Sequence, residues 1–270
     1  MHDPVHWTAR DAADMIARPS ATDDKYTRGV LGVATGSERY PGAAVLGVSA
    51  ALATGVGMVR YLGHDRPTAL VLAACPEAVV EAGRVQAWLA GSGMDEAAAD
   101  APDLQHHVAE GLPTVLDAGA LSLARRTTGP TVITPHAREL ARLLDVDPGE
   151  VTADPQRAAA GAAASLGVVL LLKGSSTVIA SPDGALIACD PATPWLATAG
   201  TGDVLAGILG ALVATHAADL ESGDERMLAR LAASASVIHA AAASRASAGG
   251  PFTVSALVEA IPATVGGLLA

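Results

Sequence analysis

Short apolar runs rich in β-branched residues alternate with longer, alanine-rich segments of helical period along nearly the whole chain. The apolar runs predict strands at 29–34, 58–62, 69–73, 85–90, 113–117, 131–133, 168–172, 177–180 and 185–188. The periodic segments predict helices at 8–17, 43–53, 77–83, 96–109, 120–126, 137–144 and 155–166. Three more helices, at 203–215, 224–248 and 254–269, close the chain. Strands that alternate with helices imply a mostly parallel central sheet covered by helices on both faces. The last two strands bracket Ser181-Pro182-Asp183-Gly184, whose Pro-Asp-Gly reads as a hairpin turn. An antiparallel hairpin is therefore expected at one edge of the sheet. No long linker and no internal repeat divides the sequence, so residues 1–270 read as one domain.

Composition narrows the picture. Half of the residues are hydrophobic, yet only 3% are aromatic, which suits small-residue helices packed closely onto a sheet. A formal charge of −11 argues against a nucleic-acid or anionic-membrane partner, so an anionic ligand must be met by local amides and a few cations. Cys75 and Cys189 stand at no metal-ligand spacing and fit a reduced, cytoplasmic protein, and the first residues lack the layout of a signal peptide. Residues 41–59 carry no charge and approach the length of a membrane span. Glycines and hydroxyls dilute them, no second such stretch follows, and a buried helix is the better account. The 17 cationic residues include only two lysines, Lys25 and Lys173, which suggests positions where the larger arginine fork would not serve.

The most informative run is Gly200-Thr201-Gly202-Asp203, followed by an unbroken apolar helix. Glycines let successive N–H groups converge on one space, and the helix aims its positive dipole end there. Phosphate fits such a mouth; a carboxylate does not, unless it has work to do, such as taking a proton from an attacking hydroxyl. No Walker A string occurs, and Asp190-Pro191…Pro194 ahead of the glycines reads as loop rather than the strand a Rossmann fingerprint needs. Other loops expected at strand carboxyl ends carry suitable groups: Thr35 to Ala43, Gly91-Ser92-Gly93, Thr134-Pro135-His136…Glu139, and Lys173-Gly174-Ser175-Ser176-Thr177. His106-His107 lie on a polar segment without further ligands, so a histidine metal site is not expected.

In this order, the motifs resemble the ADP/ATP-dependent NAD(P)H-hydrate dehydratase family, whose fold is the ribokinase-like three-layer α/β sandwich. Tyr40-Pro41-Gly42-Ala43, Gly91-Ser92-Gly93-Met94, Val115-Leu116-Asp117-Ala118, Thr134-Pro135-His136, Leu172-Lys173-Gly174 and Ala197 through Asp203 carry the likeness, which spans the chain from Lys25 onward. Two positions depart from the family pattern: Asp24 and Tyr26 flank Lys25, and Ser92 stands where a proline is usual. The resemblance implies that Lys173, Gly174, Ser175, Ser176, Thr177 and Gly202 contact the nucleotide. It implies that Ala43, Gly93, His136 and Asp203 face NAD(P)H hydrate. It further implies repair of hydrated NADH or NADPH: ADP or ATP phosphorylates the added hydroxyl, and the ring nitrogen then expels phosphate. Asp203 would take the hydroxyl proton while the amides of Gly200, Thr201, Gly202 and Asp203 form the anion hole. A Mg²⁺ ion bridging phosphates, its waters oriented by Glu139 or Asp117, and functional pairing with an NAD(P)H-hydrate epimerase complete the expectation. So does a homo-oligomer, up to a tetramer, with the alanine-rich face of 224–248 offered to a second subunit. A ribokinase-like vitamin-precursor kinase and a non-catalytic nucleotide sensor are the competing readings.

Overall fold

The computed structural model describes residues 3–221 and 225–270; the predicted helix start at Asp224 and the first two residues lie outside that range. Among the described residues, nine strands form one sheet. In chain order they are β1 (Val5–Trp7), β2 (Val30–Ala34), β3 (Met58–Tyr61), β4 (Ala87–Ala90), β5 (Thr114–Leu116), β6 (Thr131–Ile133), β7 (Val169–Leu172), β8 (Val178–Ala180) and β9 (Leu186–Cys189). Their spatial order is β1-β9-β8-β7-β6-β5-β4-β2-β3, and every pair is parallel except those made by β8. The expected hairpin is β8–β9, and β1, which the sequence did not signal, runs parallel to β9 outside it.

The helices are α1 (Ala9–Asp14), α2 (Pro41–Thr54), α3 (Asp65–Ala74), α4 (Pro102–Val108), α5 (Ala137–Leu144), α6 (Pro148–Ala153) and α7 (Pro155–Leu166). They continue as α8 (Thr201–Thr215), α9 (Ala217–Leu220), α10 (Glu225–Ser247) and α11 (Val254–Leu269). Alternation along the strands divides them between two cores. Val169 and Leu171 of β7 join Val115, Val132 and the apolar residues of α2, α8, α10 and α11 on one face. Leu170 and Leu172 join Leu116, Ile133 and residues of α4, α5 and α7 on the other. The layers are those the alternating pattern predicts.

Several elements differ from expectation. Residues 69–73, expected as a strand, form the second half of α3. Residues 77–83 form no helix; Val79 instead bridges Arg60 beside β3. The predicted helix at 96–109 divides into a 3₁₀ turn, Glu96–Asp100, and α4, because Pro102 caps a fresh start. Residues 41–59 become α2, a left-handed stop at Gly55 and β3, so the uncharged stretch is buried by folding. A second stretch of spanning length does exist: Arg226–Ser247 of α10 has mean hydropathy 1.2, with 67% of it buried within the chain. The alanine face expected to meet another subunit is internal, since Ala229, Ala232, Ala235 and Ala242 pack into the core.

Candidate active site

The carboxyl ends of β4 to β7 gather a buried polar network. Asp117 follows β5, and both its oxygens are engaged. Lys173 Nζ and Thr134 Oγ1 donate to Oδ1 at 2.8 and 2.7 Å, and Ser92 Oγ donates to Oδ2 at 2.9 Å. Burial opposes the charge, but the Lys173 ammonium and these hydrogen bonds outweigh it and hold the Asp117 carboxyl below the usual range. Burial likewise opposes the Lys173 charge, and Asp117 with Glu139, 3.9 Å away, raises the ammonium above its ordinary value. Lys173 is therefore turned inward, its side chain 20% exposed, as the cation of a buried pair. Asp117 is 3% exposed, its carboxylate held by these three donors.

Around this network the expected residues assemble unevenly. Gly93 takes a left-handed φ of +67°, and a Cβ built there would collide with Ala43 and lie 3.0 Å from the Tyr40 carbonyl oxygen, so Ala43 and Gly93 are in contact. His136 caps α5: its Nδ1 accepts from the Glu139 amide at 3.1 Å, while the Glu139 carboxylate accepts from the His136 amide at 2.8 Å. The ring is half exposed. Pro135 and Lys173 are linked by a backbone bond of 2.9 Å, which brings the His136 loop and the Lys173 loop side by side. Gly174, Ser175 and Ser176 are exposed and line a cleft of about 510 Å³ together with Ala137, Thr152 and Asp154 to Gln156. Thr177 lies behind them, its carbonyl accepting from Cys189 N–H at 3.1 Å.

Helix α8 closes the site from above the sheet. Gly200 precedes it at φ +98°, a conformation glycine adopts without strain. The Thr201 hydroxyl donates to the Leu196 and Thr198 carbonyls, each at 2.9 Å. Its own amide reaches Thr198 O at 3.4 Å, and Val204 N–H bonds Gly200 O at 3.3 Å. Among the described residues, the amides of Gly202 and Asp203 have no acceptor within the chain. Both belong to the first turn, where N–H groups point outward along the dipole. A Cβ on Gly202 would sit 3.6 Å from Lys173 Nζ, so the mouth of α8 opens directly over the buried cation. The Asp203 carboxyl is raised to about 6 by burial and by the charge of Asp117, with Lys173 pulling the other way. Proton affinity near neutrality suits a general base.

No group of three metal-ligating side chains occurs among the described residues. A magnesium ion would therefore take most of its ligands from nucleotide phosphates and water, with Asp203 the carboxylate nearest the free amides.

One buried polar side chain beside the α8 mouth was not anticipated. His239 of α10 is 8% exposed and its Nε2 lies 2.9 Å from the Thr201 carbonyl oxygen. Helical spacing could have marked it, since Ala232, Ala235, Ala242 and Ala243 on the same helix are all buried.

A mostly parallel sheet of ribokinase-like fold, with two unengaged helix amides beside a carboxylate, defines the class. The particular family follows from relatives. A family model described as NAD(P)H-hydrate dehydratase matches residues 31–262. The bifunctional NAD(P)H-hydrate repair enzyme Nnr of Mycobacterium tuberculosis is 44% identical over 220 residues, 76% of this chain and 46% of that protein. The ADP-dependent (S)-NAD(P)H-hydrate dehydratase of Neisseria meningitidis serogroup B is 35% identical over 210 residues, 70% of this chain and 71% of that one. The crystal structure of the Bacillus subtilis ADP/ATP-dependent NAD(P)H-hydrate dehydratase, co-crystallised with ATP/Mg²⁺, superposes with a TM-score of 0.85 at 26% identity, covering 99% of this chain and all of that one. The chain belongs to the NAD(P)H-hydrate dehydratase family. It spans about half the length of the bifunctional relatives it matches.

Proposed function

We propose that this chain is an ADP-dependent (S)-NAD(P)H-hydrate dehydratase, a hydro-lyase that restores NADH or NADPH from the hydrated form. ADP is preferred to ATP on the strength of the Neisseria relative, whose name carries that dependence. The observation that supports the reading most is the pair of unengaged amides at Gly202 and Asp203 beside a half-buried carboxylate with a raised proton affinity. Hydroxide is a poor leaving group, so the nucleotide's terminal phosphoryl is transferred to the hydroxyl oxygen of the hydrate. Asp203 takes the hydroxyl proton as the new P–O bond forms and the bond to the departing nucleotide breaks. The amides of Gly202 and Asp203, with Gly200 and Thr201 shaping the turn, hold the charge of the migrating group. The pyridine nitrogen lone pair then expels phosphate, and loss of a proton from the adjacent ring carbon of the resulting iminium restores the double bond.

Ala43 and Gly93, in contact at the rim, give the nicotinamide end a surface without side-chain bulk, and His136 borders it. The nucleotide lies along Gly174 to Thr177 and Gly202. Lys173 supports that loop from below through Asp117 and adds positive potential under the α8 mouth. A magnesium ion accompanying the phosphates would supply further charge neutralisation. The two cysteines, both free and buried, accord with a cytoplasmic enzyme. The chain acts as one domain in a homo-oligomer.

The test is to mix the purified chain with hydrated NADH and either ADP or ATP and to follow NADH absorbance. Recovery with ADP, together with release of AMP and phosphate, is expected. Absence of recovery with both nucleotides would overturn the assignment.

A further inference from the structure

We propose that His239 is a positioning residue: by donating its Nε2–H to the Thr201 carbonyl, it holds the first turn of α8 in the geometry that binds phosphate. The inference rests on the reading of that turn as the phosphate site. Around His239 the buried face of α10 is mostly apolar, with Leu231, Ala232, Ala235, Ile238 and Ala242 withdrawn from water beside Ser236. An imidazole in such company is costly unless its polar atoms are matched. The partner is a carbonyl oxygen, which only accepts, so Nε2 carries the proton and the tautomer is set. Burial draws His239 down to about 4, against a smaller raising effect of the bond to Thr201, so the ring donates without bringing a charge. Its contribution to anion binding is thus geometric.

Geometry needs fixing at this point. Thr201 lies between Gly200, at φ +98°, and Gly202, two residues that resist no rotation. The Thr201 hydroxyl ties the residue back to Leu196 and Thr198, and His239 grips the carbonyl from α10. With Thr201 held at both ends, the next two amides project in a common direction with no acceptor of their own. An aliphatic residue at 239 would continue the apolar face of α10 but leave the Thr201 carbonyl without this second donor. Preorganisation of the amides would then be lost, which costs anion affinity directly.

Calorimetric titration of the intact chain with ADP tests this without turnover. His239→Leu should weaken ADP binding roughly tenfold, the effect of one lost hydrogen bond to a buried acceptor. His239→Gln, whose amide nitrogen reaches about as far as Nε2, should recover most of that affinity. Ile238→Ala should lower the melting temperature while leaving ADP affinity within twofold of the parent. Should His239→Leu fail to fold, His239→Gln is compared with the shorter His239→Asn, and the longer side chain should bind ADP more tightly. Parental affinity in His239→Leu, equal affinities for Gln and Asn, or an equal loss in Ile238→Ala would each overturn the proposal. A parent chain that binds no ADP would instead overturn the reading of the site itself.

Discussion

Asp203 is held where its charge is disfavoured, and two consequences of opposite sign follow. In the proposed role of base it works only when ionised, so kcat/KM should fall as pH drops through about 6 and level off above it. For stability the folded chain binds this proton more tightly than the unfolded one. Asp203 therefore favours folding most below its ordinary value of 3.8, and that benefit is lost as pH rises through about 6. At neutral pH the carboxylate costs on the order of 3 kcal/mol. Asp203→Asn should accordingly raise the melting temperature by several degrees while lowering kcat by about 10²- to 10⁴-fold with ADP binding kept. Thermal melts and steady-state rates on the same preparation check both; normal turnover would remove Asp203 from the chemistry. At this scale the sequence was informative where the neighbours are local. The glycines and the helix mark the α8 mouth, and His136 with Glu139 three residues on carries a capping pattern. Lys173 is different: its partner Asp117 lies 56 residues away, and only the approach of β5 and β7 across β6 turns the ammonium inward.

Elements were legible where the hydrophobic period survives burial. Strands β4, β7 and β8 are buried on both faces and read as continuous apolar runs. Helix α3 was misread because its outward Leu70 and Leu72 are 42% and 38% exposed, which erases the helical period that buried Pro67 and Val71 would show. Segment 77–83, whose two glutamates and apolar residues mimic a helical period, is instead recruited by β3 through the bonds of Val79 with Tyr61 and Val59. The α2–α8 crossing depends on a feature invisible to periodicity, the facing glycines Gly47 and Gly207. A Cβ on Gly207 would meet the Gly47 carbonyl oxygen and lie 2.9 Å from the Ala50 Cβ. Gly207→Ala gains about 1 kcal/mol of helix propensity, yet the overpacking costs about 1–3 kcal/mol. Because α2 carries Ala43 and α8 carries Asp203 one turn before the crossing, separating them also displaces the rim from the base. The expected outcome is a lower melting temperature together with a drop in kcat/KM of about tenfold or more. A stabilised, fully active Gly207→Ala would refute the close approach.

For the molecule as a whole, alternating strands and helices foretold the layers but not the order of strands, because local period says nothing about which strands neighbour each other. The order matters for function: it brings the ends of β4, β5, β6 and β7 side by side, so that residues from Ser92 to Lys173 form one network under α8. A rim of this kind presents its base and its anion turn from one direction only. The substrate hydroxyl must point toward both at once, and inversion at the hydrated carbon would carry it to the opposite face of the ring. Near-attack geometry tolerates displacements of only about an ångström, so one epimer should react and the other should not. Given a mixture of hydrate epimers and excess ADP, this chain should restore NADH in a fast phase whose amplitude equals the S fraction. Addition of an NAD(P)H-hydrate epimerase should then release the remainder, which the chain alone recovers only as fast as the epimers interconvert unaided. Complete fast recovery without the epimerase would mean that the site accepts both faces of the ring, and that the single direction of approach inferred from α8 and Asp203 does not govern the reaction.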